Sequence, residues 1–444
     1  MSSRCTRFWK TSLLLCAASA LGPAASAQEP SPDAAPALPE VLTLRRALEI
    51  FRERGFDLLV AEANVRSAEG DLVIASSIAN PGLSLSVGKN FECAASQNCN
   101  TLSYSAGISD NNLLSTFISG KYELHKDVAA EALAAARRSR DDAQRTLEFQ
   151  LKQAYLSALQ AQALVVIAAE TRDSNLHTSR LTERRFALGA INEGDLARIQ
   201  VAELESEQAL SQAEQNLRTA KVALAFLLGF RTLVPDIRMD GSELDYAVPP
   251  PLAQATRESM LREGLDHRPD LRTLLEQEKR AQAALDLARR NRIPDIGLSA
   301  TYSANGSGNT NVSPPNLSLG ISLNLPVFYQ DRGEIQKAEA DRATQRILRE
   351  KAEATVVSDV ETAWAQVLGA RQLVERMQDR LLKLAEEARD ISQVQYEKGA
   401  ASLLDFLDAQ RTYTATRAEF AQDLAGYWTA VAQLEQAIAL DLRP

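Results

Sequence analysis

Three aspartates stand where carboxylates could gather cations. Asp405 and Asp408 are three residues apart and so share one face of a helix. Asp195 occupies a related stretch near mid-chain. Arranged around a common axis, such groups would create a strong local negative potential. By residue type and spacing alone, Asp405 and Asp408 read first as a solvated face or a helix cap. His125, His177 and His267 are far apart, with no carboxylate or cysteine read at ligand spacing, so no metal site is expected from them. No Ser-His-Asp arrangement, phosphate-cradling glycine loop or Cys-x-x-Cys motif is present. The chain is therefore read as having no catalytic and no cofactor-binding residue, and not as an enzyme.

The cysteines take their meaning from the start of the chain. Arg4, Arg7 and Lys10 precede an apolar stretch from Leu13 to Leu21, and Ala25-Ser26-Ala27 supplies a small-x-small cleavage site. Residues 1–27 thus read as a secretory signal peptide, too short in its apolar part to span a bilayer. Leu15, not a small residue, precedes Cys16, so ordinary cleavage is expected rather than lipidation. Cys5 and Cys16 would leave with the signal. Cys93 and Cys99 would then remain in an oxidising compartment, bracketing a polar loop, and are expected to form a disulfide.

Composition bounds the rest. The 444 residues carry 49 basic and 58 acidic side chains, a formal charge of −9, and only 5% aromatics. Loss of the signal's three basic residues takes the charge to −12. Without a Lys/Arg-rich tract to neutralise phosphates, a nucleic-acid partner is not expected. Mean hydropathy is slightly negative, and past the N-terminus no unbroken run of about 18 apolar residues marks a helical membrane span. At 45% apolar the chain is not disordered. Its Ala, Leu, Gln, Glu and Arg content points to long helices.

The carboxylates must be positioned by elements that occur twice. Gly55-Phe56-Asp57-Leu58 has a counterpart in Arg268-Pro269-Asp270-Leu271, and Asn80-Pro81 in Ile293-Pro294 at the same displacement. Phe186-Ala-Leu-Gly189 matches Tyr396-Glu-Lys-Gly399, and Asp195 matches Asp405. The chain reads as an internal duplication of about 200 residues per copy. Each copy holds two stretches of strict alternation: Leu83-Leu85-Val87 and Leu102-Tyr104-Ala106-Ile108, then Ile296-Leu298-Ala300-Tyr302 and Leu317-Leu319-Ile321-Leu323-Leu325. Ser, Gly, Thr and Asn fill the intervening positions, giving strands with one apolar and one small polar face. Elsewhere apolar residues recur in steps of three and four. Examples are Leu147 to Ala168, Leu210 to Leu227, and the run Val356, Val360, Ala363, Val367, Ala370, Val374, Met377, Leu381, Leu384, Ala388, Ile391. These are coiled-coil seams, expected on helices near 55–60 residues.

The expected boundaries are a helical segment over 28–80, a first strand hairpin over 81–112 and a first long helical hairpin over 113–230. A linker follows over 231–256, then a helix over 257–293, a second strand hairpin over 294–328 and a second long helical hairpin over 329–444. Four strands of about 10 residues can cross a bilayer when tilted, but spanning barrels need at least about eight. An open sheet edge in lipid strands backbone groups without partners. Three copies would supply twelve strands around a lumen. The fold class expected is an α+β membrane protein: a homotrimeric 12-stranded β-barrel, four strands per protomer, continuous with a long α-helical coiled-coil barrel. The strand loops, near 91–100 and 305–315, are polar and suit an exterior surface. The helical tips fall at Leu188-Gly189 and Lys398-Gly399, which could equally be plain helix C-caps.

These residues resemble the TolC family of outer-membrane efflux channels. The segment Tyr396-Glu-Lys-Gly-Ala-Ala-Ser-Leu-Leu-Asp-Phe-Leu-Asp-Ala-Gln-Arg411 is similar to the family's second inner-tip hairpin, and Arg185-Phe-Ala-Leu-Gly-Ala-Ile-Asn-Glu-Gly-Asp195 to its partner. Leu325-Pro-Val-Phe-Tyr-Gln-Asp-Arg-Gly-Glu-Ile335 resembles the strand-to-helix passage of the heavy-metal (CzcC-like) branch. The resemblance implies a trimer in outer-membrane lipid with its helical tunnel in the periplasm. It also implies docking to a periplasmic adaptor, at tips including Leu188, Gly189, Lys398 and Gly399, and through it to an inner-membrane pump of the resistance-nodulation-division or ABC type. The channel would be passive. By the same resemblance Asp405 and Asp408, with Asp195 at the equivalent turn, form the acidic rings of the periplasmic gate. The chain departs from the family at Ala401, where a latching Arg can stand, and at Asp110-Asn-Asn-Leu-Leu114, which lacks a Leu-Pro passage. The function expected is an exit duct for metal cations or drugs. The alternatives are a secreted coiled-coil scaffold without a pore and a type I protein-secretion channel.

Overall fold

The computed structural model describes residues 40–89, 102–231, 236–305 and 315–443. The signal segment, Cys93, Cys99 and the tips of both strand hairpins lie outside the described residues.

Thr43 opens the first helix by accepting the backbone N–H of Arg46, and α1 (Leu44–Arg54) buries the face formed by Leu44, Ala47, Ile50 and Phe51. At Gly55 the chain turns into α2 (Phe56–Ala75); a Cβ there would lie 2.5 Å from the Phe51 ring. The second half contains the same break. There α7 (Arg257–His267) meets α8 (Pro269–Arg290) at Arg268, whose following proline favours a helix start. The single helix expected over 257–293 is thus two.

The four alternating stretches form one antiparallel sheet in the order β1 (Gly82–Lys89), β2 (Leu102–Ser109), β3 (Ile296–Asn305), β4 (Asn316–Leu323). Register pairs like with like: Leu85 faces Ala106, Ala106 faces Tyr302, and Ala300 faces Leu319. On the polar face the hydroxyls of Ser86 and Ser105 lie 2.7 Å apart. A Cβ on Gly107 would meet the Ser84 hydroxyl at 2.7 Å, so small residues let this face close. The apolar face is bare: Leu85 is 74% exposed, Leu319 81% and Ile321 76%.

From the sheet, α3 (Leu113–Ile118) leads to α4 (Lys121–Ala187), 67 residues and about 100 Å long, which returns as α5 (Glu193–Leu227). After β4 the chain runs through α9 (Arg332–Arg376), a π-helical turn (Met377–Leu381) and α10 (Leu382–Glu397), then returns as α11 (Leu403–Ile438). Each hairpin therefore pairs one helix longer than expected with one shorter. By length and composition α4 alone among the described helices could cross a membrane. It packs instead against α2, α5, α8 and α11.

The upper seam on α9 buries most of the residues that the periodicity marks, whereas on α5 only Leu224 of the marked residues is buried and the others are half-buried. Val356, Val360, Ala363, Val367 and Val374 are all inaccessible. Below Met377 the expectation fails. Leu381, Leu384, Ala388 and Ile391 face outward, and Leu382, Ala385, Arg389, Ser392 and Tyr396 turn toward the interior. The cause is the π turn: the Leu382 N–H donates to the Met377 carbonyl five residues back, inserting one residue and rotating the helix below by ~100°.

The main core lies where α1, α4, α7, α9 and α11 meet the linker, which holds a 3₁₀ turn (Gly241–Leu244) and the short α6 (Pro250–Ala253). Leu42 bridges Met239 in parallel, and buried Tyr155 donates its hydroxyl to the Leu42 carbonyl at 2.9 Å. Burial raises the Tyr155 phenol well above its ordinary pKa, with Glu243 adding to the shift. Lys152 ties in the C-terminal segment, donating to Glu435 at 2.7 Å and to Asp441 at 3.0 Å. The other Glu435 oxygen accepts the backbone N–H groups of Leu442 and Arg443.

Candidate functional site

The tip expected to carry function is built twice by one local grammar. At the end of α4 the Ala190 N–H reaches the Arg185 carbonyl and the Gly189 N–H that of Phe186; at the end of α10, Ala400 reaches Gln395 and Gly399 reaches Tyr396. These are Schellman closures. Gly189 has φ +71° and Gly399 φ +78°, the left-handed region that favours glycine, and nothing surrounds either. Leu188 precedes Gly189 in full view of solvent, and Lys398 holds the equivalent place. Both glycines are therefore C-caps by geometry, and the turns they form are open to a partner.

Each returning helix starts with an N-cap whose third residue is one of the singled-out aspartates. Asn192 accepts the Asp195 N–H at 2.8 Å, and Arg198 lies 3.2 Å from the Asp195 carboxylate. Ser402 and Asp405 form a capping box: the Asp405 N–H donates to the Ser402 hydroxyl oxygen at 3.2 Å. The Asp405 carboxylate in turn accepts the Ser402 N–H at 3.2 Å and its O–H at 2.7 Å. The bonds from Ser402 hold the Asp405 carboxyl below its ordinary pKa. Asp405 is thus half of a helix cap, the structural alternative open for it in the sequence, whereas the Asp195 carboxylate accepts only side-chain N–H groups, from its capping Asn192 at 3.0 Å and from Arg198.

Asp408 has no such duty. It lines an open groove of about 740 Å³ between α4, α5 and α11, together with Arg198, Glu205, Leu404 and Arg411. The structure places Asp405 and Asp408 on one helix but in different roles, with Asp408 facing the groove alongside the Arg198 that pairs with Asp195.

Between the two tips lies a small core of Ile199, Tyr396, Leu403 and Phe406. The Tyr396 and Phe406 rings stack with centroids 5.8 Å apart. Arg185 lies over the Tyr396 ring at 4.8 Å and donates to the Tyr396 carbonyl at 3.0 Å and the Glu397 carbonyl at 2.7 Å. The Tyr396 hydroxyl meets that of buried Thr182. Sequence reading passed over this junction, although an aromatic side chain one turn before a tip glycine was its signal.

Among the described residues no cluster of three or more His, Cys, Asp or Glu could hold a metal. Contrary to the expectation from spacing, His267 has a carboxylate one turn away, Glu263 at 3.1 Å, which makes a surface pair and not a cage.

A four-stranded sheet with one bare apolar face, leading into helical hairpins that end in capped tips, marks an outer-membrane protein of the efflux class. The family profile described as "Outer membrane efflux protein" matches residues 47–230 and again 260–440. The chain belongs to this family and is an outer-membrane protein of efflux. It is 25% identical over 381 residues to the cobalt-zinc-cadmium resistance protein CzcC of Cupriavidus metallidurans, covering 85% of each chain. It is 30% identical over 380 residues to the pyoverdine export outer membrane protein OpmQ of Pseudomonas aeruginosa, covering 81% of this chain and 77% of that one. Among solved structures, CusC superposes with a TM-score of 0.73 at 19% identity, over 90% of this chain and 92% of that one.

Proposed function

We propose that the protein is the passive exit duct of a tripartite efflux system, carrying metal cations or drugs across the outer membrane. The observation that carries this reading is the bare apolar face of a sheet that cannot close on itself. In water that face would be a large exposed hydrophobic patch, and in lipid the unpaired edges of β1 and β4 would cost several kcal/mol per stranded group. Three copies bring edge to edge and make a 12-stranded barrel embedded in outer-membrane lipid. The duplication that repeats strand pair, long helix and returning helix then gives the trimer twelve strands above a helical tube in the periplasm.

The paired tips, with Leu188-Gly189 and Lys398-Gly399 exposed, suit docking of a periplasmic adaptor, with energy supplied by an inner-membrane pump of the resistance-nodulation-division or ABC type. The protein itself performs no catalysis. Asp408 is the carboxylate best placed to attract cations, and the likeness to CzcC supports metal cations as cargo. The test is metal and drug tolerance of cells lacking the protein. Loss of tolerance that the intact chain restores supports the reading, and unaltered tolerance to both classes contradicts it.

A further inference from the structure

We infer that the π turn at Met377–Leu381 is a register switch for the helix below it. The helix from Arg332 to Glu397 obeys two incompatible demands. Above the turn its apolar residues fill the seam, down to Val374 and Met377. Continued in steps of four and three, the same pattern would bury Leu381, Leu384, Ala388 and Ile391. Instead Leu381 is 46% exposed, and Leu384 and Ile391 are each 56% exposed. The face turned inward holds Leu382, Ala385, Arg389 and Ser392, a poorer set for a coiled-coil seam. Arg389 is accommodated there by lying 4.4 Å over the Tyr413 ring.

The less apolar register is held from the tip. Tyr396 is fixed by Thr182, by Arg185 and by the stack on Phe406, so its ring sets the rotation of α10 from below, while Met377 sets that of α9 from above. The residue left over between these anchors is stored as the π turn. When Tyr396 leaves its junction, the stored residue passes toward Lys398-Gly399. The turn then anneals to α-helix, and α10 rotates by ~100° to seat Leu384 and Ile391 against α11. Whatever grips the tip biases this equilibrium, and the register reciprocally biases the grip. Helix α4 of the first hairpin has no such turn, so the switch belongs to the second hairpin alone. That the rotation widens a gate rests on the channel reading above; the rotation itself does not.

The test uses the full chain with Cys93→Ser and Cys99→Ser, and Ala385→Cys as reporter, since Ala385 is buried in one register and exposed in the other. Deleting exposed Asp379 removes the stored residue, converts the turn to α-helix in the observed register and blocks the switch. With a minor register populated at ~1–10%, maleimide labelling of the reporter slows at least about tenfold on this deletion. It quickens about fivefold with Tyr396→Phe, as expected for one lost hydrogen bond. Leu384→Glu, which disfavours only the alternative register, slows it as the deletion does and serves if the deleted chain does not fold. Labelling indifferent to both blocking variants overturns the switch. Labelling that responds while bilayer conductance is absent from every variant keeps the switch and counts against the channel reading.

Discussion

The hydroxyls of Thr182 and Tyr396, 214 residues apart in sequence, lie 2.7 Å from each other between the two helical tips. Thr182 also donates to the Thr178 carbonyl, which leaves its oxygen free to accept from the phenol. With Arg185 spanning the same gap, each tip is held to the other rather than to its own hairpin alone.

Removing this bond is expected to loosen the tip without unfolding the chain. Tyr396→Phe costs about 0.5–1.5 kcal/mol, because Thr182 keeps its bond to Thr178. Arg185→Ala, which strips two carbonyl contacts and a ring contact, has the larger effect. Both raise the conducting fraction in planar bilayers, Arg185→Ala more so.

Asp405 and Asp408 are expected to separate by experiment. Asp408→Asn lowers cation preference, read as the reversal potential in a salt gradient, and leaves stability within about 0.5 kcal/mol. Ser402→Ala breaks the capping box and costs about 0.5–2 kcal/mol. Because the Asp405 pKa is depressed in the folded state, its share of the cap is present above the ordinary 3.8 and fades as pH falls through the folded value. Equal selectivity in Asp408→Asn and the parent chain would remove Asp408 from the permeation path.

The anchor of the C-terminal segment makes an opposite pH prediction. Burial pulls the Lys152 pKa down, but Glu435 and then Asp441 outweigh it, and the net shift is upward from 10.5. Its contribution is therefore complete below 10.5 and is lost as pH rises through the folded value. Lys152→Met leaves Glu435 buried without its cation and is expected to cost about 3–5 kcal/mol. Urea unfolding at neutral and alkaline pH measures both: the gap between Lys152→Met and the parent chain should narrow at high pH.

In the sheet, a charge on the apolar face should fail where one on the polar face survives. Leu319→Arg is expected to cost about 2–4 kcal/mol of membrane stability near mid-bilayer. Ser318→Arg, on the opposite face, should assemble. Heat-resistant migration of outer-membrane extracts distinguishes the two.

The sheet was legible because alternation has one structural reading: Leu317, Leu319, Ile321 and Leu323 can share a face only on a strand. The tip glycines and the upper α9 seam were legible for similar reasons of period and backbone freedom. The lower α10 seam was not. Its apolar residues continue the pattern faithfully, and the rule that overrode them acts from Tyr396 through tertiary contacts absent from local sequence. Asp405 illustrates the opposite limit. Its spacing from Asp408 suggested shared work, whereas Ser402 three residues earlier already marked it as the far half of a capping box.

Whether three chains close the sheet is decided by the native mass of the detergent-solubilised protein, taken with conductance of the same preparation in planar bilayers. Three chains per particle and discrete conducting steps are the expected result. A single chain that stays in solution without detergent and conducts nothing would rule out the trimeric channel.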